Sequence, residues 1–255
     1  IYRDGIPTEK IYNMPKNIVS SLKWLSKVLP EGMKGQKLLY RGTTHISKRF
    51  VGNAFIFEEK NKKDILKYFD PSQHYSQLTA SLYERAKHLS FPTQMQYCDI
   101  NMWLRGDILV KGDRLSMAHG LELRVPFLDR EVFDVARTLN EQDKYANKTT
   151  KFILRDAFKD IINKETFVRP KLGYPVPVRK WLKNEMYDWA KEIITSSGAD
   201  EYINKFEALK MLEDHRMGKI DHYRTLWVIL VFMTWHKLYI EQFENTKQRI
   251  LSGKL

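Results

Sequence analysis

Hydrophobic residues recur at three- and four-residue intervals along most of the chain, which is the spacing of one buried face of an α-helix. Pro15 and Pro71 stand just before two such segments, where proline is tolerated at a helix start. Asn184 is a possible N-cap of a later segment, and Gly198 a possible stop. The pattern predicts helices within residues 18–29, 75–89, 154–162, 186–194, 203–212 and 221–243.

Evidence for strands is thin, because no run of alternating β-branched residues is bounded by turn signals. Residues 50–57, FVGNAFIF, are the one stretch that fits a strand as well as a helix. We interpret residues 32–42 as the nearest thing to a linker and the lysine-rich residues 60–63 as a surface loop. The sequence therefore predicts a mostly α fold.

Composition narrows the class of protein. The 255 residues are 43% hydrophobic, which is enough for a sizeable core and excludes wholesale disorder. The single cysteine, Cys98, cannot form an internal disulfide, so we expect a reducing compartment and a cytoplasmic location. The longest apolar run, residues 226–233, is too short to span a bilayer, and we expect no membrane association.

The chain starts at Ile1 and shows no basic segment followed by an apolar one, so we expect an internal piece of a longer polypeptide without a secretory leader.

The formal charge is +12, which would attract phosphate backbones and keeps a basic nucleic-acid-binding helical module as an alternative. The cations are spread over most predicted helices and no RNA-binding signature or zinc finger is present, so we do not expect a nucleic-acid partner.

Residues 103–129 depart from ordinary amphipathic patterning, because charged residues are interleaved with apolar ones in WLRGDILVKGDRLSMAHGLELRVPFLD. Buried charges are costly unless they are paired, so opposite signs at this spacing are compatible with a paired polar network at a helix-to-loop transition. A solvated charged face explains the same residues, and the pattern alone does not decide between the two.

This segment closely resembles the hallmark of the asparagine synthetase family, in which D-R-x-S-M leads through a glycine and E-x-R into P-F-L-D. Downstream, the resemblance continues through the family's K-x-x-L-R helix and its R-x-K-x-G-(F/Y)-x-x-P-x-x-x-W loop. The matching residues are Asp113–Met117, Gly120, Glu122, Arg124, Pro126–Asp129, Lys151, Leu154, Arg155, Arg169–Tyr174, Pro177 and Trp181.

The resemblance implies the helical C-terminal portion of an α/β ATP-pyrophosphatase-type synthetase domain, with residues 1–243 in that domain and residues 244–255 as a polar tail. The family's parallel sheet and S-G-G-x-D-S phosphate loop are missing from this sequence. The implied activity is the ATP-dependent conversion of aspartate to asparagine through a β-aspartyl adenylate, with ammonia supplied from glutamine by an absent N-terminal domain. We expect the fragment alone to be inactive.

The resemblance also assigns candidate site residues. Lys171 matches the loop lysine that would bind ATP or pyrophosphate and act in catalysis, and Arg169 would support it in binding phosphate. Asp107 matches an acidic position near the adenylate and is the second candidate catalytic residue, where an acid would help to deprotonate a nucleophile or orient a catalytic group. A simple pair with Lys111 at i+4 explains this residue equally well. The residues assigned to the structural hallmark are Asp113, Arg114, Glu122, Arg124 and Asp129, the last as the N-cap of a helix.

Histidine spacing gives no support for a transition-metal site, so we predict no metal ligands in this chain. The family resemblance implies ATP and Mg²⁺, with Mg²⁺ held mainly by upstream residues. The expected partners are aspartate, ATP, ammonia or glutamine, upstream parts of the same polypeptide, and a second copy if the protein is a homodimer. Two more alternatives stay open: a sister enzyme that adenylates another carboxylate to form an amide or lactam, and a non-catalytic scaffold.

Overall fold

The computed structural model describes residues 2–30, 33–52, 56, 57, 59–146, 149–165, 169 and 176–243, with the backbone alone at residues 3 and 59–61. The α-helices in chain order are α1 (Gly5–Tyr12), α2 (Lys16–Val28), α3 (Gln36–Gly42), α4 (Glu59–Ile65), α5 (Ser76–Ala86), α6 (Phe91–Asp99), α7 (Val110–Met117), α8 (Arg130–Ala136), α9 (Glu141–Lys144), α10 (Phe152–Ala157), α11 (Val178–Trp181), α12 (Tyr187–Ser196), α13 (Lys205–Arg216) and α14 (Tyr223–His236).

Further helical turns connect these helices. Two are π-helical, at Ile100–Leu109 and Lys237–Glu241. Short 3-10 turns occur at Tyr2–Asp4, Ile46–Lys48, Pro126–Leu128 and Ala199–Glu201. In the described part of the chain, β pairing is confined to one isolated bridge, between Leu66 and Ile203. The prediction of a mostly α fold is therefore confirmed for these residues.

Three local predictions were wrong. Residues 60–63 form part of α4 rather than a loop, because lysine favours helix formation where no Gly or Pro interrupts it. Residues 36–42 form α3 rather than a linker. Asn184 does not cap α12, which starts at Tyr187; its side-chain amide instead donates a hydrogen bond to the Lys180 carbonyl at 3.1 Å.

The chain divides into two compact units. The first comprises residues 1–55 and 75–171, and the second comprises residues 56–74 and 172–255. Each unit is therefore built from two stretches that are separate in the sequence. The tail predicted for residues 244–255 lies outside the described residues.

The core of the first unit lies between α5, α6 and the segment around Ile46. Its buried side chains are Ile46, Phe50, Tyr83, Phe91, Met95 and Cys98. The Tyr83 hydroxyl donates a hydrogen bond to the Phe50 carbonyl at 2.8 Å. Burial raises the pKa of Tyr83, so the hydroxyl stays protonated and keeps this donor role. The bond ties α5 to the loop that follows Ile46.

Helices α1 and α3 of the first unit approach each other closely. A Cβ placed on Gly42 would lie 2.8 Å from Ile11 Cβ, which is closer than real carbon contacts allow. Arg49 connects the same region, donating to Thr8 Oγ1 at 2.8 Å and to the Thr44 carbonyl at 3.2 Å. Burial, assisted by the neighbouring charge of Arg41, lowers the pKa of Arg49 to about 10, which still leaves it charged at neutral pH.

Cys98 occupies a buried apolar position. Burial, assisted by the neighbouring Asp99 carboxylate, raises the pKa of its thiol to about 11. Because the thiolate is the reactive form, we expect iodoacetamide at about pH 8 to leave Cys98 unmodified in the folded chain. In urea we expect complete alkylation of Cys98. Intact mass distinguishes the alkylated from the unmodified protein, because the chain has a single cysteine. Rapid alkylation of the folded protein would contradict this placement.

The core of the second unit is organised by α14. Its buried residues Leu226, Ile229, Leu230 and Met233 recur at helical spacing and pack in one cluster with side chains from α11 to α13. Ile65 of α4 joins the same cluster. Backbone hydrogen bonds join residues 65–67, at the end of α4, to residues 202–204. Lys67 N–H donates to the Tyr202 carbonyl at 3.0 Å, and Asn204 N–H donates to the Ile65 carbonyl at 2.7 Å.

Candidate functional site

The hallmark segment begins as a long helical run in the first unit. Helix α6 continues through the π-helical residues Ile100–Leu109 into α7. In a π-helix each backbone hydrogen bond spans five residues instead of the four of an α-helix, and such turns occur often at functional sites.

Asp107 lies in the π-helical part and is half-exposed. Its Oδ2 accepts a hydrogen bond from the Trp103 indole N–H at 3.0 Å. The Lys111 ammonium lies 3.1 Å from Oδ1 and 3.2 Å from Oδ2. The carboxylate is thus held by an indole and by a cation, and the predicted pair with Lys111 is present.

Helix α7 ends in a Schellman motif that requires the hallmark glycine. Leu121 N–H donates to the Ser116 carbonyl at 2.9 Å, and Gly120 N–H donates to the Met117 carbonyl at 3.0 Å. Gly120 has φ of 67°, a left-handed conformation that side chains with a Cβ rarely adopt. The hallmark glycine is therefore explained by backbone geometry alone.

The charged residues on either side of this turn lie at the surface. Asp113 and Arg114 are on exposed positions of α7. Glu122 and Arg124 project from the irregular residues 121–125 and form an ion pair with each other. Exposed pairs of this kind contribute little to stability, so we expect this pair to fix local side-chain positions rather than to hold the fold.

Asp129 caps α8, as the sequence predicted. Its Oδ1 accepts a hydrogen bond from the Glu131 backbone N–H at 2.9 Å, and its own backbone is extended with φ of −56° and ψ of 143°. This bond satisfies one of the free N–H groups at the helix start. The P-F-L-D element is thus a 3-10 turn followed by a helix cap.

The cap gives a testable prediction for Asp129→Ala. Loss of an N-cap costs about 1 kcal/mol, which corresponds to about a fivefold increase in local opening of α8. We expect amide hydrogen exchange of residues 131–133 to accelerate by this amount. Asp129→Asn is the matched control, because asparagine caps as well as aspartate and removes the charge. Equal acceleration in both variants would assign the effect to charge instead of the cap.

The K-x-x-L-R element has an unusual backbone at its first residue. Lys151 directly precedes α10 and has φ of 59°, which makes it the one non-glycine residue with positive φ in the described part of the chain. Such a conformation costs on the order of 1 kcal/mol and persists only where the surroundings impose it. No pattern in the sequence indicates this conformation.

The loop that matches R-x-K-x-G-Y is only partly described. Arg169 is exposed, and its N–H donates to the Glu165 carbonyl at 2.9 Å. Lys171 lies outside the described residues, so its role stays a prediction from the resemblance. Pro177 and Trp181 lie at the start and end of the short helix α11, in the second unit.

The structure brings together two sets of candidate residues: Asp107 with Lys111, and Glu122 with Arg124. Sequence reasoning missed Trp103, although its four-residue spacing from Asp107 was a usable signal.

Among the residues that are described, no three His, Cys, Asp or Glu side chains come close enough together to hold a metal ion. In the same residues, no helix has the length and apolar character that crossing a membrane requires.

Comparison with known proteins decides the family. The family model described as asparagine synthase matches residues 10–237. The chain belongs to the asparagine synthase family. Asparagine synthetase [glutamine-hydrolyzing] 1 of Bacillus subtilis is 45% identical over 242 residues, covering 95% of this chain and 38% of the relative. The human asparagine synthetase [glutamine-hydrolyzing] is 34% identical over 89 residues, covering 34% of this chain and 16% of the relative.

A third member of the asparagine synthase family, asparagine synthetase [glutamine-hydrolyzing] 3 of Bacillus subtilis, is 29% identical over 92 residues, covering 36% of this chain and 15% of the relative. The chain therefore spans well under half the length of these relatives. No solved structure gives a significant match to this chain.

Proposed function

We propose that this chain is the C-terminal helical part of the synthetase region of a glutamine-hydrolysing asparagine synthetase. The observation that carries the proposal is the 45% identity to a relative of that name over 95% of this chain. The hallmark segment supports it, because its glycine and its aspartate have definite backbone roles at Gly120 and Asp129.

The proposed reaction activates a carboxylate. An oxygen of the aspartate side chain attacks the α-phosphorus of ATP, and pyrophosphate leaves. Ammonia then attacks the acyl carbon, AMP leaves with the former carboxylate oxygen, and the amide nitrogen loses a proton to give asparagine. Glutamine supplies the ammonia through a glutaminase domain upstream. A carboxylate is a poor electrophile, so groups that neutralise the growing phosphate charge lower the barrier.

The residues of this chain would act in that reaction as follows. Lys171 contacts the α-phosphate or the departing pyrophosphate, and Arg169 supports the same anion. Asp107 orients a neighbouring group, since both of its oxygens already accept from Lys111 or Trp103. The hallmark residues shape the connection from α7 to α8 and take no part in bond making.

Mg²⁺ would neutralise phosphate charge when it binds with ATP. The described residues fit this ion poorly, because they contain no cluster of three acidic or other ligating side chains. We therefore propose that upstream carboxylates hold Mg²⁺. The same upstream region would supply the parallel sheet and the phosphate loop of an ATP-pyrophosphatase-type fold.

The proposal retains residues 1–243 as the helical part of the domain, residues 244–255 as a polar tail and a cytoplasmic location. A homodimer is compatible with it.

The test is carboxylate-dependent exchange of labelled pyrophosphate into ATP, measured with the longer polypeptide that contains residues 1–255. We expect aspartate to support exchange and glutamate to fail. Exchange that only a different acid supports would identify a sister enzyme that adenylates that acid. If no acid supports pyrophosphate exchange, a non-catalytic scaffold would be favoured. The 255-residue chain by itself is the control, and robust aspartate-dependent exchange by it would contradict the proposed inactivity of the fragment.

A further inference from the structure

A buried histidine in the second unit ties α11 to α13. His215 is 0% exposed on α13, and its Nε2 lies 2.9 Å from the Arg179 carbonyl oxygen of α11. A carbonyl oxygen only accepts hydrogen bonds, so Nε2 carries a proton and donates it. The ring thus binds the backbone of α11 through one defined nitrogen.

The Arg179 carbonyl depends on this donor. The carbonyls of residues 178, 180 and 181 of α11 accept from backbone N–H groups of residues 182–186 at 2.8–3.2 Å. Carbonyls in the last turn of a helix lack partners within it, and one that is buried without a donor costs free energy. In the described part of the second unit, His215 is the donor that serves the remaining carbonyl of α11.

The other ring nitrogen of His215 makes the residue costly. Nδ1 is buried and has no hydrogen-bond partner among the described residues, and Asp221 Oδ1 lies 3.5 Å away. An apolar side chain at the same position of α13 would avoid the cost of a buried polar atom without a partner. Packing alone therefore does not account for a histidine here, whereas the Nε2 donor does.

A second polar tie on α11 is weaker. Asp221 Oδ2 lies 2.9 Å from Arg179 Nε, and the Arg179 guanidinium lies 4.6 Å from the centre of the Tyr223 ring. The side chains of Arg179 and Asp221 are 61% and 49% exposed, and exposed ion pairs contribute little to stability. The buried hydrogen bond from His215 is therefore the stronger of the two ties.

We infer that His215 is a positioning residue for the proposed reaction and acts through α11. This helix has four residues, too few to persist without tertiary contacts, and it begins four residues after the match to R-x-K-x-G-Y ends at Tyr174. The backbone of α11 therefore fixes where the chain leaves that loop. The inference rests on the proposed function for the role of the loop, and it involves a histidine outside the matched motifs.

Two substitutions at His215 separate the Nε2 donor from the rest of the ring. The glutamine amide reaches about as far from Cα as Nε2 does, whereas the asparagine amide reaches only as far as Nδ1. In the longer polypeptide, we expect His215→Asn to accelerate amide hydrogen exchange of residues 180–184 by about tenfold relative to α14. His215→Gln should stay within about twofold of wild type. His88→Asn, at an exposed histidine of the first unit, is the matched control and should change nothing in α11.

Aspartate-dependent pyrophosphate exchange tests the positioning role in the same variants. We expect His215→Asn to lower the maximum rate by about tenfold and to change the half-saturating aspartate concentration by less than about twofold. The reason is that a displaced group loses stabilisation of the transition state rather than binding of the substrate. His215→Gln should restore most of the maximum rate.

Three results would overturn the inference. The first is unchanged amide exchange of α11 in His215→Asn. The second is a defect of more than about fivefold in His215→Gln by either measurement, which would assign the ring to packing and needs no folded asparagine variant. The third is faster amide exchange in His215→Asn with a wild-type rate of pyrophosphate exchange, which would make the tie purely structural. If the wild type supports pyrophosphate exchange with no acid, the proposed function falls, and amide exchange still decides whether His215 anchors α11.

Discussion

Replacing Lys171 with alanine in the longer polypeptide is expected to lower aspartate-dependent pyrophosphate exchange by about a hundredfold. The physical reason is the charge that accumulates on the phosphate oxygens as the carboxylate attacks. A positioned ammonium would neutralise this charge, and such electrostatic stabilisation is far stronger where water is excluded than in bulk solvent. Alanine keeps the backbone and Cβ and removes the cation together with the rest of the side chain.

Two companion variants separate this role from general loss of charge. Lys159→Ala removes a lysine whose ammonium lies 3.3 Å from Asp156 on the surface, and exchange should stay within about twofold of wild type. Lys171→Arg should recover part of the activity, because the charge remains while its shape changes. Exchange by Lys171→Ala within about threefold of wild type would remove this residue from the proposed machinery.

Leu230→Ala is expected to lower the free energy of unfolding of the second unit by about 2–5 kcal/mol. Leu230 is 0% exposed in the middle of α14 and belongs to the apolar cluster that α11 to α13 complete. Truncation removes buried methyl groups and leaves a cavity that the surrounding helices close only in part. Because a domain is stable by only about 5–15 kcal/mol, a loss of this size is a large fraction of the total.

The control for Leu230→Ala is its neighbour. Val231 is 51% exposed on the other side of α14, so Val231→Ala should change stability by no more than about 0.5 kcal/mol. Urea unfolding followed by tryptophan fluorescence measures both, since Trp181 and Trp227 lie in the second unit. Similar effects for the two variants would contradict the orientation of α14.

The sequence was informative at several positions where structure depends on near neighbours. Helix α14 and its buried face follow from apolar spacing, because that face is repeated every three or four residues. Asp129 was identified as a cap because aspartate is a favoured N-cap residue and stands directly before a helical segment, and its hydrogen bond to the Glu131 N–H is local. The pair of Asp107 with Lys111 follows from the same local spacing.

Features that depend on distant residues were not accessible in this way. The contact of Ile65 with the α14 cluster joins stretches far apart in the chain, and no periodicity encodes it. Asn184, in contrast, is a local feature that the sequence misassigned, because a capping residue type also occurs in turns, where its amide can bond to a carbonyl such as that of Lys180. Whether a lysine reaches a phosphate depends likewise on tertiary structure, so the proposed role of Lys171 rests on the family resemblance.

The two-stretch construction of the second unit has a consequence for synthesis on the ribosome. Residues 56–74 emerge about a hundred residues before their partners in residues 172–255, a delay on the order of 5–20 s at usual elongation rates. During that interval Ile65, later buried, stays in water on the nascent chain. Lys62 and Lys63 beside it would discourage aggregation, as charged residues flanking apolar stretches generally do. The lysines of α4 would thus keep the segment around Ile65 soluble during synthesis, before Ile65 is buried in the folded unit.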